Sequence, residues 1–224
     1  MKRLIDIITA IVGLATLFLP GMLVAVIIKM TSAGPVFFRQ ERIGRRFRPF
    51  WIYKFRTMIT DAPRRGGQIT CGADPRITPI GRVLRKTKLD EIPQLINVFL
   101  GDMSLVGPRP EVPHYVELFR VDYAEILEVR PGITDLASIK YRDEAEILGQ
   151  AVDPEQVYVT RILPEKIRLA KEYTRRRSLW TDIAIVVQTL FALCCRRGPS
   201  PAPTSCGGPN LSRDQQTERD GVSP

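Results

Sequence analysis

The residues best suited to chemistry stand together in mid-chain, in Arg85-Lys86-Thr87-Lys88-Leu89-Asp90-Glu91-Ile92-Pro93-Gln94. Two adjacent carboxylates precede an apolar-periodic stretch, and Pro93 fits the first turn of a helix there. Taken alone, Asp90 and Glu91 read first as caps, because acidic residues in a first turn offset the helix dipole and accept from free N–H groups. Their surroundings argue for more. Arg85, Lys86 and Lys88 lie just upstream, and Gly107-Pro108-Arg109-Pro110, a rigid turn holding one guanidinium, lies just downstream. Cations around a helix N-terminus make a phosphate site. A carboxylate inside such a site is kept ionised by its neighbours. The same charge lets it attack phosphorus despite the repulsion between two anions. The product is an acyl phosphate, reactive enough to pass its phosphoryl group to another phosphate. Gln94 and Asn97, further along the helix, read either as residues that orient the dyad or as a polar helix face.

The elements that must position these groups are legible in outline. The chain has 224 residues, 44% hydrophobic and 25% charged, enough for one domain with appendages and a real core. The net charge of +9 points to anionic partners. Cys71, Cys194, Cys195 and Cys206 form no C-x-x-C, and His114 is the lone histidine, which argues against structural zinc, a disulfide framework and a His-dependent triad. Neither common glycine-rich nucleotide motif occurs. The spacing predicts short strands over 36–40 and 50–56, a short helix from Ile80, and helices over 93–101, 116–127 and 164–180. A glycine- and proline-rich loop, expected to be mobile, fills 61–78. Arg39, Arg42, Arg45, Arg46, Arg48, Lys54, Arg56, Arg64 and Arg65, interleaved with aromatics, could form a single-stranded nucleic-acid platform or sit on anionic headgroups.

The N-terminal segment favours the second reading. From Leu4 to Ile28 the only charge is Asp6. A helix apolar on every face belongs in a core or in lipid. Pro20-Gly21 interrupts the run, and basic residues flank both ends, Lys2 and Arg3 before and Lys29 after. Both flanks then belong on the cytoplasmic side. A broken, re-entrant helix that enters and leaves by one face satisfies both facts, and an ordinary kinked transmembrane helix is the alternative. Arg175-Arg176-Arg177, Trp180 and the apolar stripe through Cys194 suit a helix lying on headgroups, with a final core helix as the alternative. Cys194 and Cys195 are either lipid-modified or small apolar filler. The domains expected are a membrane helix (1–34), a cytoplasmic catalytic domain with interfacial helices (35–195) and a disordered tail (196–224).

Several motifs together resemble the bacterial sugar transferase family, the small monotopic phosphoglycosyl transferases. They are Lys2-Arg3-x-x-Asp6, Ser32-x-Gly34-Pro35-Val36-x-Phe38-x-Gln40, Lys54-Phe55-Arg56-Thr57-Met58 and Asp74-Pro75-Arg76-Ile77-Thr78. They continue in Leu89-Asp90-Glu91-x-Pro93-Gln94-Leu95-x-Asn97-Val98, Gly101-Asp102-Met103-Ser104-Leu105-Val106-Gly107-Pro108-Arg109-Pro110 and Arg130-Pro131-Gly132-Ile133-Thr134. The resemblance implies an α+β fold outside the Rossmann class, mostly helical with a few short strands. It implies a monotopic protein with a re-entrant helix broken at Pro20 and amphipathic surface helices, on the cytoplasmic face of the bacterial inner membrane. The implied reaction moves a sugar 1-phosphate from a UDP-sugar to undecaprenyl (polyprenol) phosphate, releases UMP and requires Mg2+, as the first membrane step of a glycan pathway. Asp90 maps to the nucleophile, and Glu91 to a general base or, with Asp90, to the metal site. Arg85 and Arg109 match positions that handle phosphate or nucleotide, and Lys54 and Arg56 match a motif near the site. Membrane lipids are then partners and nucleic acid is not, and there is room for a homodimer.

The chain departs from the family after Thr134, reading Asp135-Leu136-Ala137-Ser138-Ile139-Lys140-Tyr141-Arg142. That leaves the donor sugar open. Asp143-Glu144-x-Glu146 reads as a solvated helix face, with sugar or metal contact as the alternative. The rival functions are a non-enzymatic, basic membrane-surface adaptor and a sugar-nucleotide pyrophosphatase.

Overall fold

A computed structural model describes residues 1–62, 65, 69–72 and 74–194. The expected tail over 196–224, Cys195 and Arg64 lie outside the described residues. Helix α1 (Lys2–Thr31) leads into an antiparallel hairpin, β1 (Phe37–Ile43) and β2 (Pro49–Phe55), in which Phe37 opposes Phe55 and Ile43 opposes Pro49. Then come α2 (Pro79–Thr87), α3 (Gln94–Leu100), β3 (Ser104–Val106), α4 (Pro113–Leu118), α5 (Arg120–Ile126) and β4 (Gly132–Thr134). The short helices α6 (Leu136–Lys140), α7 (Glu144–Gly149) and α8 (Pro154–Val157) precede α9 (Leu163–Arg176) and α10 (Leu179–Cys194). Strands β3 and β4 pair in parallel. The mostly helical reading with a few short strands therefore stands.

One expectation about α1 is corrected. The sequence predicts a break at Pro20, but the helix runs unbroken from Lys2 to Thr31 with Pro20 inside it. Proline removes only one backbone donor, and the flanking turns carry the helix through. At ~1.5 Å per residue α1 is about 45 Å long. It is the one helix, among the described residues, long and apolar enough to cross a membrane.

The helix lies along the body and is clasped at both ends. Near its start, Arg3 donates to Val98 O at 2.6 Å and Phe99 O at 3.0 Å, and buried Asp6 accepts from Ser104 Oγ at 2.9 Å and Leu105 N at 3.1 Å. Ala10 packs with Phe50, Ile52, Val98 and Met103. Near its end, Ile28 packs with Phe55 and Leu84. Between these anchors Ile8, Val12, Phe18, Leu19 and Leu23 are exposed, an apolar face with no protein over it among the described residues.

The C-terminal elements form a separate core. Tyr115, Tyr123, Ile126, Leu148, Tyr158, Ile162, Leu163 and Ile167 are buried together. The helix expected over 116–127 divides at Phe119, whose φ of −118° and ψ of 35° are not helical. The helix expected over 164–180 stops at Arg176, and α10 starts anew at Leu179. Helix α10 buries Ile185 while Trp180, Ile183, Val187, Leu190 and Phe191 stay exposed, which matches the headgroup reading better than that of a core helix. Glu144 pairs with Lys166 of α9, so this part of the acidic stretch is a tertiary contact and not a solvated face. Exposed His114 stands on α4.

Candidate active site

The site is built where α2, β2 and the 105–110 turn converge. Thr78 caps α2 by accepting from Gly81 N at 3.0 Å. Gly81 lets α2 press on the backbone after β2, since a Cβ there would stand 2.0 Å from Thr57 O. Arg85, one turn beyond Gly81, donates from Nε to Thr57 Oγ1 at 2.8 Å. Lys88 then adopts φ 58° and ψ 15°, a left-handed residue that ends α2 and turns the chain into a 3-10 turn, Leu89–Glu91. The dyad thus sits between two helices, ahead of α3, with Pro93 as the N-cap residue of α3 and not in its first turn.

Asp90 is buried, 7% exposed, and its Oδ1 has no hydrogen-bond partner. Burial raises its pKa, neighbouring Glu91 adds to this, and Lys54, Lys88 and Arg85 oppose it. Glu91 faces the other way. Its Oε1 accepts from Lys54 Nζ at 2.9 Å and from Arg109 Nη2, and its Oε2 accepts from Arg109 Nη1 at 3.2 Å. Burial alone would raise the Glu91 carboxyl, but Arg109 and Lys54 outweigh it and hold the group well below the ordinary range. In return, Glu91 raises the Arg109 guanidinium above its usual value. Burial lowers the Lys54 ammonium, and Glu91 partly offsets this.

Arg109 is held in place by its own turn. Its N–H donates to Asp135 Oδ2 at 3.1 Å, while Asp135 Oδ1 caps α6 through Ser138 N at 2.7 Å. Gly107 and Gly132 let the two segments touch, because a Cβ on Gly132 would stand 2.1 Å from Gly107 N. The structure therefore brings together Asp90, Glu91, Lys54, Arg85 and Arg109. It gives Arg56 other work: its Nη2 donates to Ser32 O at 2.8 Å and Ser32 Oγ at 2.5 Å, at the end of α1. Thr57 and Asp135 are positioning residues that the sequence reading passed over. The signal for Asp135 was its N-cap spacing to Ser138; Thr57 had only its place beside Arg56.

The basic stretch does not form one platform. Arg42 pairs with Glu111 at 2.9 Å, Arg45 donates to Glu128 O at 2.8 Å, and Arg65 pairs with Asp61 at 2.5 Å. These partners are intramolecular, so that part of the basic stretch is spent within the protein. Among the described residues no group of three or more His, Cys, Asp or Glu side chains could hold a metal. Mg2+ is commonly bound by one or two carboxylates plus substrate phosphates. Of the pair, Asp90 has an unpartnered oxygen that such an ion could meet, whereas both oxygens of Glu91 are engaged by Arg109 and Lys54.

The chain matches the bacterial sugar transferase family over residues 1–196. It belongs to that family. Within the family it is 41% identical over 196 residues to the UDP-N-acetylgalactosamine-undecaprenyl-phosphate N-acetylgalactosaminephosphotransferase of Aeromonas hydrophila, covering 85% of this chain and 43% of that protein. It is 40% identical over 194 residues to the UDP-glucose:undecaprenyl-phosphate glucose-1-phosphate transferase of Xanthomonas campestris pv. campestris, covering 84% of this chain and 37% of that protein. A transferase of the same name from Caulobacter vibrioides is 38% identical over 199 residues, with 86% and 69% covered. The chain thus spans less than half the length of the first two relatives.

Proposed function

We propose that this chain transfers a sugar 1-phosphate from a UDP-sugar to undecaprenyl phosphate, releasing UMP, at the cytoplasmic face of the bacterial inner membrane. The observation that carries the reading is the placement of Asp90: a buried carboxylate at the entrance to α3, within the field of Lys54, Arg85 and Lys88 and beside the Glu91–Arg109 pair. The names of the relatives supply the substrate class.

In the first step an Asp90 carboxylate oxygen attacks the phosphorus that bears the sugar. The new O–P bond forms as the bond to UMP breaks, and UMP leaves with that electron pair. In the second step an oxygen of the lipid phosphate attacks the same phosphorus and expels the Asp90 carboxylate. Neither step needs a net proton transfer, because a phosphate monoester is largely dianionic at neutral pH. A general base is therefore dispensable. Glu91, held ionised by Arg109 and Lys54, suits the task of aligning those cations for the diphosphate. Mg2+, held by Asp90 with the substrate's own oxygens, would neutralise the leaving diphosphate. Arg85 and Arg109 bind phosphate or nucleotide, with Lys54 beside them.

The membrane reading rests on α1. Its first and last turns both touch the same body, while the face between them is apolar and bare. A helix crossing a ~30 Å hydrocarbon layer would carry one end away from that body. The unbroken helix accordingly lies along one leaflet with both ends on the same side and its bare face in lipid, and α10 lies on the headgroups.

The test is a half reaction. Full-length protein is mixed with Mg2+ and a panel of UDP-sugars, without lipid phosphate. The expected result is about one equivalent of UMP per protein, the stoichiometry of a covalent intermediate, with a sugar phosphate on Asp90 by mass spectrometry. Continuous UMP release would mean a pyrophosphatase. No release with any donor would leave an adaptor.

A further inference from the structure

Asp90, in the 3-10 turn, and Gln94 and Asn97, on α3, are buried polar positions four and three residues apart. The amide of Asn97 is satisfied. Its Oδ1 accepts from Tyr53 N at 3.0 Å and its Nδ2 donates to Trp51 O at 2.8 Å, so it stitches α3 to β2. Gln94 is different. It is 0% exposed, yet neither Oε1 nor Nε2 has a partner. The same is true of Asp90 Oδ1. A buried amide without a partner is costly, and an apolar side chain of equal length would fill the space without that penalty.

The two orphans are complementary. A carboxylate only accepts, and Nε2 of Gln94 only donates. Lys54 and Arg109 are engaged with Glu91 and Arg85 Nε with Thr57, while Lys88, which also acts on Asp90, stands exposed. We infer that Gln94 is a positioning residue for the transfer proposed above: its Nε2 donates to Oδ1 of Asp90 when the donor diphosphate enters, and so turns Oδ2 toward phosphorus. In the loaded state the same donor meets the carbonyl oxygen of the acyl phosphate. It then stabilises the carboxylate as the lipid phosphate expels it. The inference rests on the transferase reading.

The test compares wild type with Gln94→Met, which removes the amide at similar length, in single-turnover loading with UDP-glucose, UDP-N-acetylgalactosamine and further UDP-sugars. Melting temperature, read in parallel, is expected to rise as the unpartnered amide is removed, and UMP affinity to hold. Loading at saturating donor is expected to slow about 10–100-fold, the scale of a misplaced reacting group, with KM little changed. Wild-type loading rates in Gln94→Met would overturn the inference and leave the transferase reading intact. If Gln94→Met does not fold, Gln94→Leu decides: it removes the donor and adds no titratable group beside Asp90. Slower loading there supports the inference, and an unchanged rate sinks it. Failure of wild type to load any donor overturns the transferase reading, and this inference with it.

Discussion

Arg109 grips Glu91 with both arms of its guanidinium, Nη1 to Oε2 at 3.2 Å and Nη2 to Oε1, and Lys54 joins Oε1 at 2.9 Å. Planar two-point contact of this kind is beyond a lysine. Arg109→Lys should therefore keep the charge and lose the alignment, with donor turnover down about 10–100-fold. Steady-state kinetics with saturating lipid phosphate would read it, and an unimpaired variant would remove Arg109 from the site.

Removing the carboxylate has a different signature. In Glu91→Gln, Arg109 and Lys54 keep their charges without a counter-ion. Melting temperature should fall, and added inorganic pyrophosphate should restore more of it than it adds to wild type. Thermal scans with and without pyrophosphate test this. Equal gains in both proteins would mean that the cations do not face the anion site.

Burial raises the Asp90 carboxyl from its ordinary value. The sign for stability follows. Below the unfolded value, about pH 4, the group is neutral in both states and costs nothing. As pH rises toward the elevated folded value, the unfolded chain ionises first, and folding loses stability. Asp90→Asn should therefore melt higher than wild type at neutral pH, with the gain closing toward pH ~4. Its turnover should drop by orders of magnitude. Wild-type loading should speed up as pH rises and Asp90 ionises. A destabilised Asp90→Asn, or a loading rate indifferent to pH, would contradict this.

Gly81→Ala should injure the site from a distance. The added Cβ would meet Thr57 O at 2.0 Å, and backbone cannot easily give way. Helix α2 must shift, which strains the Arg85–Thr57 bond. The expected loss is about 1–3 kcal/mol, read as a lower melting temperature, together with slower loading.

Membrane placement can be read with thiol labelling. In a protein stripped of Cys71, Cys194, Cys195 and Cys206, a cysteine added ahead of Met1 and one at Thr31→Cys should both label from the cytoplasmic side. Labelling from opposite sides would make α1 a crossing helix.

The dyad, its upstream cations and the Arg109 turn were legible because each motif is contiguous in sequence. What joins them was not. Lys88 ends α2 with a left-handed φ that no composition rule assigns to lysine, and it alone sets the direction in which Asp90 and Glu91 project. Strands β3 and β4 span three residues each, too short to show alternation, yet their pairing brings Asp135 to Arg109. Arg56 shared a motif with Lys54, but it falls just past the end of β2 and reaches Ser32, whereas Lys54, inside the strand, reaches Glu91. Proline at position 20 overstated the interruption, since neighbouring turns hold the helix.

Lys2 Nζ reaches Val106 O at 3.0 Å, Tyr173 Oη at 3.3 Å and Asp182 Oδ2 at 2.5 Å, and so ties the first turn of α1 to β3, α9 and α10 at once. In the membrane reading proposed above, the two lipid-facing helices and the strand that leads to the Arg109 turn are tied into one frame. The immersion depth of that frame then fixes how high Asp90 rides above the hydrocarbon. A thicker or thinner bilayer would move the whole assembly like a float and leave the reach between carboxylate and lipid headgroup unchanged.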